Sequence, residues 1–192
     1  MSKRLIGHVL AAFVLFGSFA GPAIARTVGD VELPERLQLA GEQLILNGAG
    51  TRSKWFMGLY VGALYLPQVT TSAEAVLADD QLQAITLHIT SGMITSERMT
   101  EATEEGFEAS TGGDTTAYRE DIDQFMAVFS DEIQEGDRFD LGYVPGEGVQ
   151  VRKNGELKDT VGDLAFKRVL FGIWLSDSPA QKSLKEQMLG RD

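Results

Sequence analysis

Apolar and polar side chains alternate along much of this chain, and the longest alternating run covers residues 52–66. Side chains two apart along a strand share a face. Ser53, Trp55, Met57, Leu59, Val61, Ala63 and Tyr65 therefore fall on one side, and Arg52, Lys54, Phe56, Gly58, Tyr60, Gly62 and Leu64 on the other. The pattern predicts one long strand, fed by a glycine turn at Gly48-Ala49-Gly50 and closed by Pro67, since proline restricts the residue before it. The first set reads as core and the second as a lined cleft. Glycine inside a strand marks a bulge or a close approach, so Gly58 and Gly62 on either side of Tyr60 predict cleared space beside that ring. Trp55 and Trp174 are expected in the core.

Shorter extended runs are predicted at residues 31–39, 43–46 and 81–91, and a short helix after the hydroxyl cap at Thr71-Ser72. Thr95-Ser96-Glu97-Arg98 opens a helix with Met99, Ala102, Gly106 and Phe107 near one stripe. Gly112-Gly113-Asp114 ends it, and Ile122, Phe125, Met126, Val128 and Phe129 mark another. Strands return at 138–144, 148–153 and 156–161, the last two joined by Asn154-Gly155, a type I′ hairpin signal. Asp163 begins a helix through Phe166, Val169, Leu170, Ile173 and Trp174, and Ser178-Pro179 starts a terminal one. Strands, helices, strands, helices is the order of an α+β domain with an antiparallel sheet backed by helices on one side. Gly48-Ala49-Gly50 enters a strand, whereas phosphate loops deliver their anion to a helix N-terminus, so a nucleotide fold is excluded.

The first residues change the setting. Met1-Ser2-Lys3-Arg4, an apolar stretch to Phe19 and Ala23-Ile24-Ala25 form a secretory leader, so residues 1–25 are expected to be removed and 26–192 to form one domain. Removing Lys3 and Arg4 from the 17 basic residues leaves 15 against 28 acidic ones, a formal charge of −13. Such a surface repels phosphate backbones, which excludes nucleic acid as a partner. No stable membrane insertion is expected once the leader is gone, and the expected location is the periplasm. With no cysteine in the chain, disulfides, thiolate metal sites and cysteine nucleophiles are excluded. The acidic pairs, such as Asp79-Asp80 and Glu104-Glu105, lack the spacing of a cation loop, and His88 stands alone on its strand, so neither a metal nor a cofactor is expected. A single histidine and a serine make no triad.

The glycines before Arg52, the run Gly58-Leu59-Tyr60-Val61-Gly62-Ala63-Leu64-Tyr65-Leu66, the helix start at Thr95, Gln134-Glu135-Gly136-Asp137 and Phe171-Gly172-Ile173-Trp174-Leu175-Ser176-Asp177-Ser178-Pro179 through Leu184-Lys185 together resemble the bacterial chalcone isomerase-like family. The resemblance covers nearly the whole mature chain. It implies an open-faced β-sandwich, a long antiparallel sheet backed by helices with a ligand cleft between them. Catalytic relatives close a flavanone ring with an arginine, a threonine, a tyrosine and an asparagine. By that likeness the arginine matches Arg52, the threonine falls near Tyr60, the tyrosine on Thr95, the asparagine on Ala102, and a late pocket hydroxyl near Phe166. Only the arginine is kept, which speaks against chalcone isomerisation.

Fatty-acid-binding members of the fold pair the arginine with a tyrosine to hold a carboxylate, and the likeness assigns Arg52 and Tyr60 that role. Phe56, Leu64, Thr95 and Phe166 are expected to line the rest of the site. The expected function is therefore non-catalytic binding of a small amphipathic carboxylate such as a fatty acid. Two alternatives stay open: an isomerase or intramolecular lyase acting on another phenolic or enone substrate, and an envelope scaffold in which Arg52 braces Glu42 or Glu97. The sequence names no protein partner.

Overall fold

A computed structural model describes residues 25–191, so the expected leader lies outside the described residues except for Ala25. That residue opens β1 (Ala25–Val28), which pairs with β2 (Val31–Pro34) in a separate two-stranded hairpin. The main sheet is antiparallel and runs in sequence order through β3 (Arg36–Leu39), β4 (Glu42–Lys54), β5 (Met57–Leu66), β6 (Gln83–Ile89), β7 (Arg138–Val144), β8 (Gly148–Lys153) and β9 (Glu156–Val161). The run expected at 31–39 is thus two strands in different sheets, parted at Glu35. Helices occupy the connections: α1 (Ala73–Ala78) precedes β6, α2 (Ser96–Thr111) and α3 (Arg119–Ala127) lie between β6 and β7, and α4 (Leu164–Leu175) and α5 (Lys182–Met188) follow β9.

The single strand expected over 52–66 is the main departure. It is a hairpin, β4 turning into β5 at Trp55-Phe56, and Gly48-Ala49-Gly50 is not a turn but part of β4. Trp55 and Phe56 both have positive φ, 53° and 68°, values that a two-residue hairpin turn requires and usually takes from Asn-Gly. The expected Asn154-Gly155 turn has that form, with φ of 53° and 84°.

The two sheet faces carry different cores. Leu64, Ile85, Leu87, Phe139, Leu141 and Val151 meet Phe107, Phe125, Phe166 and Phe171 of the helices. On the other face Leu39, Leu44, Ala63, Tyr65 and Ala84 pack with Leu33 of the β1–β2 hairpin. Caps expected from the sequence are in place. The Thr95 hydroxyl accepts from the Arg98 amide at 3.3 Å, and the Asp163 carboxylate accepts from the Ala165 amide at 2.7 Å, each satisfying a donor that a helix start leaves open. The terminal helix begins at Lys182 rather than at Ser178-Pro179.

Two further contacts set the position of the helices. Lys167 is fully buried. Its Nζ donates to Val76 O at 2.7 Å, Asp79 O at 2.9 Å and Leu77 O at 3.3 Å. It thereby satisfies the free carbonyls at the end of α1. Asn47 is the extra residue where the β4–β5 register shifts between Leu46 and Gly48. Its side chain donates to Met188 O at 2.8 Å and accepts from the Thr70 amide at 2.7 Å, fastening α5 to β4. The strand glycines serve this closeness. A Cβ on Gly48 would stand 2.2 Å from Gln187 O, and one on Gly50 1.9 Å from the Gln187 side chain.

Candidate functional site

Arg52 and Tyr60 are directly opposite each other across the β4–β5 hairpin. Direct cross-strand partners share a face, so the two side chains come together by pairing and not by parity along one strand. The register shifts beside them, because Ser53 pairs with Gly58 and Leu59 is left over as a bulge. A bulged strand re-aims its side chains. Leu59 joins Tyr60 in the helix-side core while Val61 faces the other way.

Arg52 is half-buried. Its Nη1 donates to Ser53 O and to Gln181 Oε1, both at 2.9 Å. Gln181 Oε1 also accepts from the Ser53 amide at 2.9 Å, and its Nε2 donates to Thr51 O at 3.3 Å. One amide at the entry to α5 thus clamps the end of β4. Both Arg52 bonds leave from Nη1, so the donors on Nε and Nη2 are left for Tyr60 and for a ligand. Among the described residues no ion pair joins Arg52 to a carboxylate. Glu42 stands exposed at the start of β4 and Glu97 exposed in the first turn of α2, so neither braces the guanidinium.

The Tyr60 hydroxyl accepts from Trp174 Nε1 at 2.9 Å in a buried contact. With a lone pair engaged by the indole, its own hydrogen remains to be donated. Burial raises the Tyr60 pKa above its ordinary value, against the opposing pulls of the Trp174 hydrogen bond and the Arg52 charge. Burial disfavours the phenolate, so Tyr60 is held as a neutral donor, suited to an oxyanion and ill suited to act as a base.

These groups border a cleft of about 610 Å³ between the sheet and the helices. Its inner wall is apolar: Leu87, Phe139 and Leu141 of the sheet, Phe125 and Phe129, Met99 of α2, and Ile173 and Trp174 of α4. The exposed lining residues Lys54, Trp55, Arg98, Glu101 and Glu105 mark the mouth. A largely apolar concavity with a few convergent donors is the usual form of a small-molecule site. Ala102 lines it and offers no polar atom where the family likeness placed an asparagine. Among the described residues no group of three or more acidic or histidine side chains gathers where it could hold a metal.

The remaining candidates fall elsewhere. Phe56 stands fully exposed at the tip of the hairpin, because the turn at 55–56 carries it away from the Arg52 face. Leu64 is completely buried in the helix-side core and outside the cleft. Phe166 is also completely buried, its ring 5.8 Å from Phe107 and 6.1 Å from Phe125, one layer behind the cleft wall. Thr95 spends its hydroxyl on the α2 cap. Trp55, expected in the core, is 78% exposed, whereas Trp174 is buried and also faces the cleft. The sequence reading missed Gln181. No local signal marks a glutamine whose partner lies 129 positions away.

No curated protein matches the sequence. Among solved structures, the fold is similar to the crystal structure of a fatty-acid binding protein from Arabidopsis thaliana, with a TM-score of 0.65 over 83% of this chain and 92% of that one at 18% identity. Identity that low speaks to the fold alone, a curled seven-stranded antiparallel sheet backed by helices. The family model described as chalcone isomerase-like matches residues 25–190. With nearly all of the described residues matched, the chain belongs to the chalcone isomerase-like family.

Proposed function

We propose that this protein is an exported, periplasmic binding protein for a small amphipathic carboxylate such as a fatty acid, with the carboxylate on Arg52 and Tyr60 and the chain along the apolar cleft. The observation that carries this reading is the pairing of a guanidinium with a neutral, buried phenol at the edge of an apolar cavity. Two donors and one positive charge match a carboxylate, and charge-assisted hydrogen bonds gain strength where water is excluded. That the Arabidopsis protein of similar fold is a fatty-acid binding protein supports the same ligand class. The catalytic relatives' tyrosine, asparagine and late pocket hydroxyl are replaced here by Thr95, whose hydroxyl caps α2, Ala102 and Phe166, which argues for holding an anion over turning it over.

The test is organic extraction of protein purified from its native host, followed by rebinding of the recovered acid. Arg52→Met should weaken that binding by about tenfold to a hundredfold, the worth of a hydrogen bond to a charged group. Unchanged affinity in Arg52→Met would sink the reading. So would Arg52-dependent turnover of a phenolic enone.

A further inference from the structure

The hairpin that carries Arg52 and Tyr60 ends in a tip that folding does not explain. Trp55 and Phe56 hold φ of 53° and 68°, a region that is strained for bulky side chains and natural for Asn or Gly. Both rings stand in solvent, Trp55 at 78% and Phe56 at 105% relative exposure, with Met57 beside them at 46%. A turn sequence that costs both backbone strain and exposed apolar surface points to an interaction site.

Two more observations say what covers it. Residues 43–73 contain Arg52 and Lys54 and no Asp or Glu, in a chain of net charge −11. The hairpin therefore carries no charge that a phosphate-bearing surface repels, and at the mouth beside it Arg52, Lys54 and Arg98 outnumber Glu101 and Glu105. Trp55 is also part of the cleft mouth, while the exposed Phe56 and Met57 do not line it. A protein pocket closing around the tip would close the mouth as well. A lipid surface accepts the aromatic rings at headgroup level and a lysine beside them, and leaves the mouth facing the acyl chains.

We propose that the Trp55-Phe56-Met57 tip docks reversibly into the headgroup region of a phospholipid bilayer, so that the cleft opens onto the membrane and an acyl carboxylate enters from the lipid phase. Entry of that cargo rests on the carboxylate-binding reading above; docking does not. No helix among the described residues is long and apolar enough to cross a membrane, and docking of this kind needs none.

The experiment is flotation of the purified protein with phosphatidylcholine vesicles, with and without phosphatidylglycerol, alongside quenching of its tryptophan emission by brominated phosphatidylcholine. The wild-type protein should float, its emission should be quenched, and phosphatidylglycerol should increase the bound fraction. Phe56→Gly should lower vesicle partitioning by about tenfold or more, the worth of exposing one buried aromatic side chain. Its melting temperature should match or exceed that of the wild type, because glycine accepts the positive φ. Its affinity for octanoate in solution should be unchanged. Wild-type protein that stays off the vesicles, or Phe56→Gly that floats equally well, overturns the docking. Self-association that Phe56→Gly abolishes, without vesicle binding, would assign the tip to a second copy and overturn it too. Acyl uptake from vesicles at the same rate in both proteins overturns the entry route. Vesicle docking that persists while neither wild type nor Arg52→Met binds octanoate removes the cargo reading alone.

Discussion

A single methyl group at Gly48 should undo the seat of the last helix. Gly48 has no positive φ, so alanine brings no backbone strain and the effect is steric. Its Cβ would lie 2.2 Å from Gln187 O and 2.8 Å from Met188 O. Those are backbone atoms, so the end of α5 must retreat by about 1 Å to recover ordinary van der Waals separation. The retreat stretches the Asn47–Met188 hydrogen bond of 2.8 Å and lifts Leu184, Met188 and Leu189 from the core. Overpacking costs about 1–3 kcal/mol and a lost hydrogen bond about 1 kcal/mol more. In a domain of this size that lowers the melting temperature by roughly 5–15 °C. Gly62→Ala is the control, since its new methyl would meet only side-chain carbons of Leu184 and Tyr60, the nearest at 3.6 Å. It should be neutral, or stabilising by about 0.4–1 kcal/mol through the unfolded chain. Thermal and urea unfolding measure both. Because α5 begins next to the glutamine that clamps Arg52, folded Gly48→Ala should also bind carboxylate more weakly than Gly62→Ala does. A Gly48→Ala protein as stable as the wild type, or a Gly62→Ala protein as damaged as Gly48→Ala, would refute the reasoning.

Tyr60→Phe removes one proposed donor to the ligand and the acceptor of Trp174 Nε1. Carboxylate affinity measured by calorimetry should fall about fivefold to tenfold, and an unchanged value would remove Tyr60 from the site. His88 is held down to about 4 by burial and then by the Arg138 charge. The unfolded chain takes up that proton near 6.5, so between pH 6.5 and 4 it binds more protons than the native state and stability falls as pH drops through that window. His88→Gln should flatten this slope, and an NMR titration of the native histidine with a midpoint near 6.5 would contradict it. Lys167→Met leaves the carbonyls of Val76, Leu77 and Asp79 without their buried donor. The urea midpoint should reflect a loss of about 2–3 kcal/mol, and a neutral result would mean that the buried charge costs as much as its bonds return.

The sequence and the structure agree where local chemistry decides. Asn154-Gly155 supplies the turn it predicts, Thr95 and Asp163 cap their helices, and the alternation of Ile85, Leu87 and Ile89 with Thr86 and His88 turns the apolar side of β6 toward the helix-side core. The β4–β5 turn was illegible for the same reason. Trp55-Phe56 carries neither glycine, asparagine nor proline, and its apolar character continues the alternation straight through the bend. Arg52 and Tyr60 still arrive on one face, since eight positions along a strand and a direct pair across a hairpin give the same answer. Gly48-Ala49-Gly50, expected as a turn, lies inside β4, where its glycines let α5 approach the strand. Phe166 and Leu64 lie among side chains drawn from several elements, and no local pattern distinguishes a cleft wall from the layer behind it.

The Gln181 clamp also orders events in time. Arg52 emerges from synthesis 129 residues ahead of the amide that holds it, and the sheet around it pairs mostly between consecutive strands. A folding chain can complete that meander while its guanidinium is still loose. The proposed anion capture then becomes a late acquisition of the folding reaction, and refolding followed by both circular dichroism and carboxylate binding should show the second signal trailing the first.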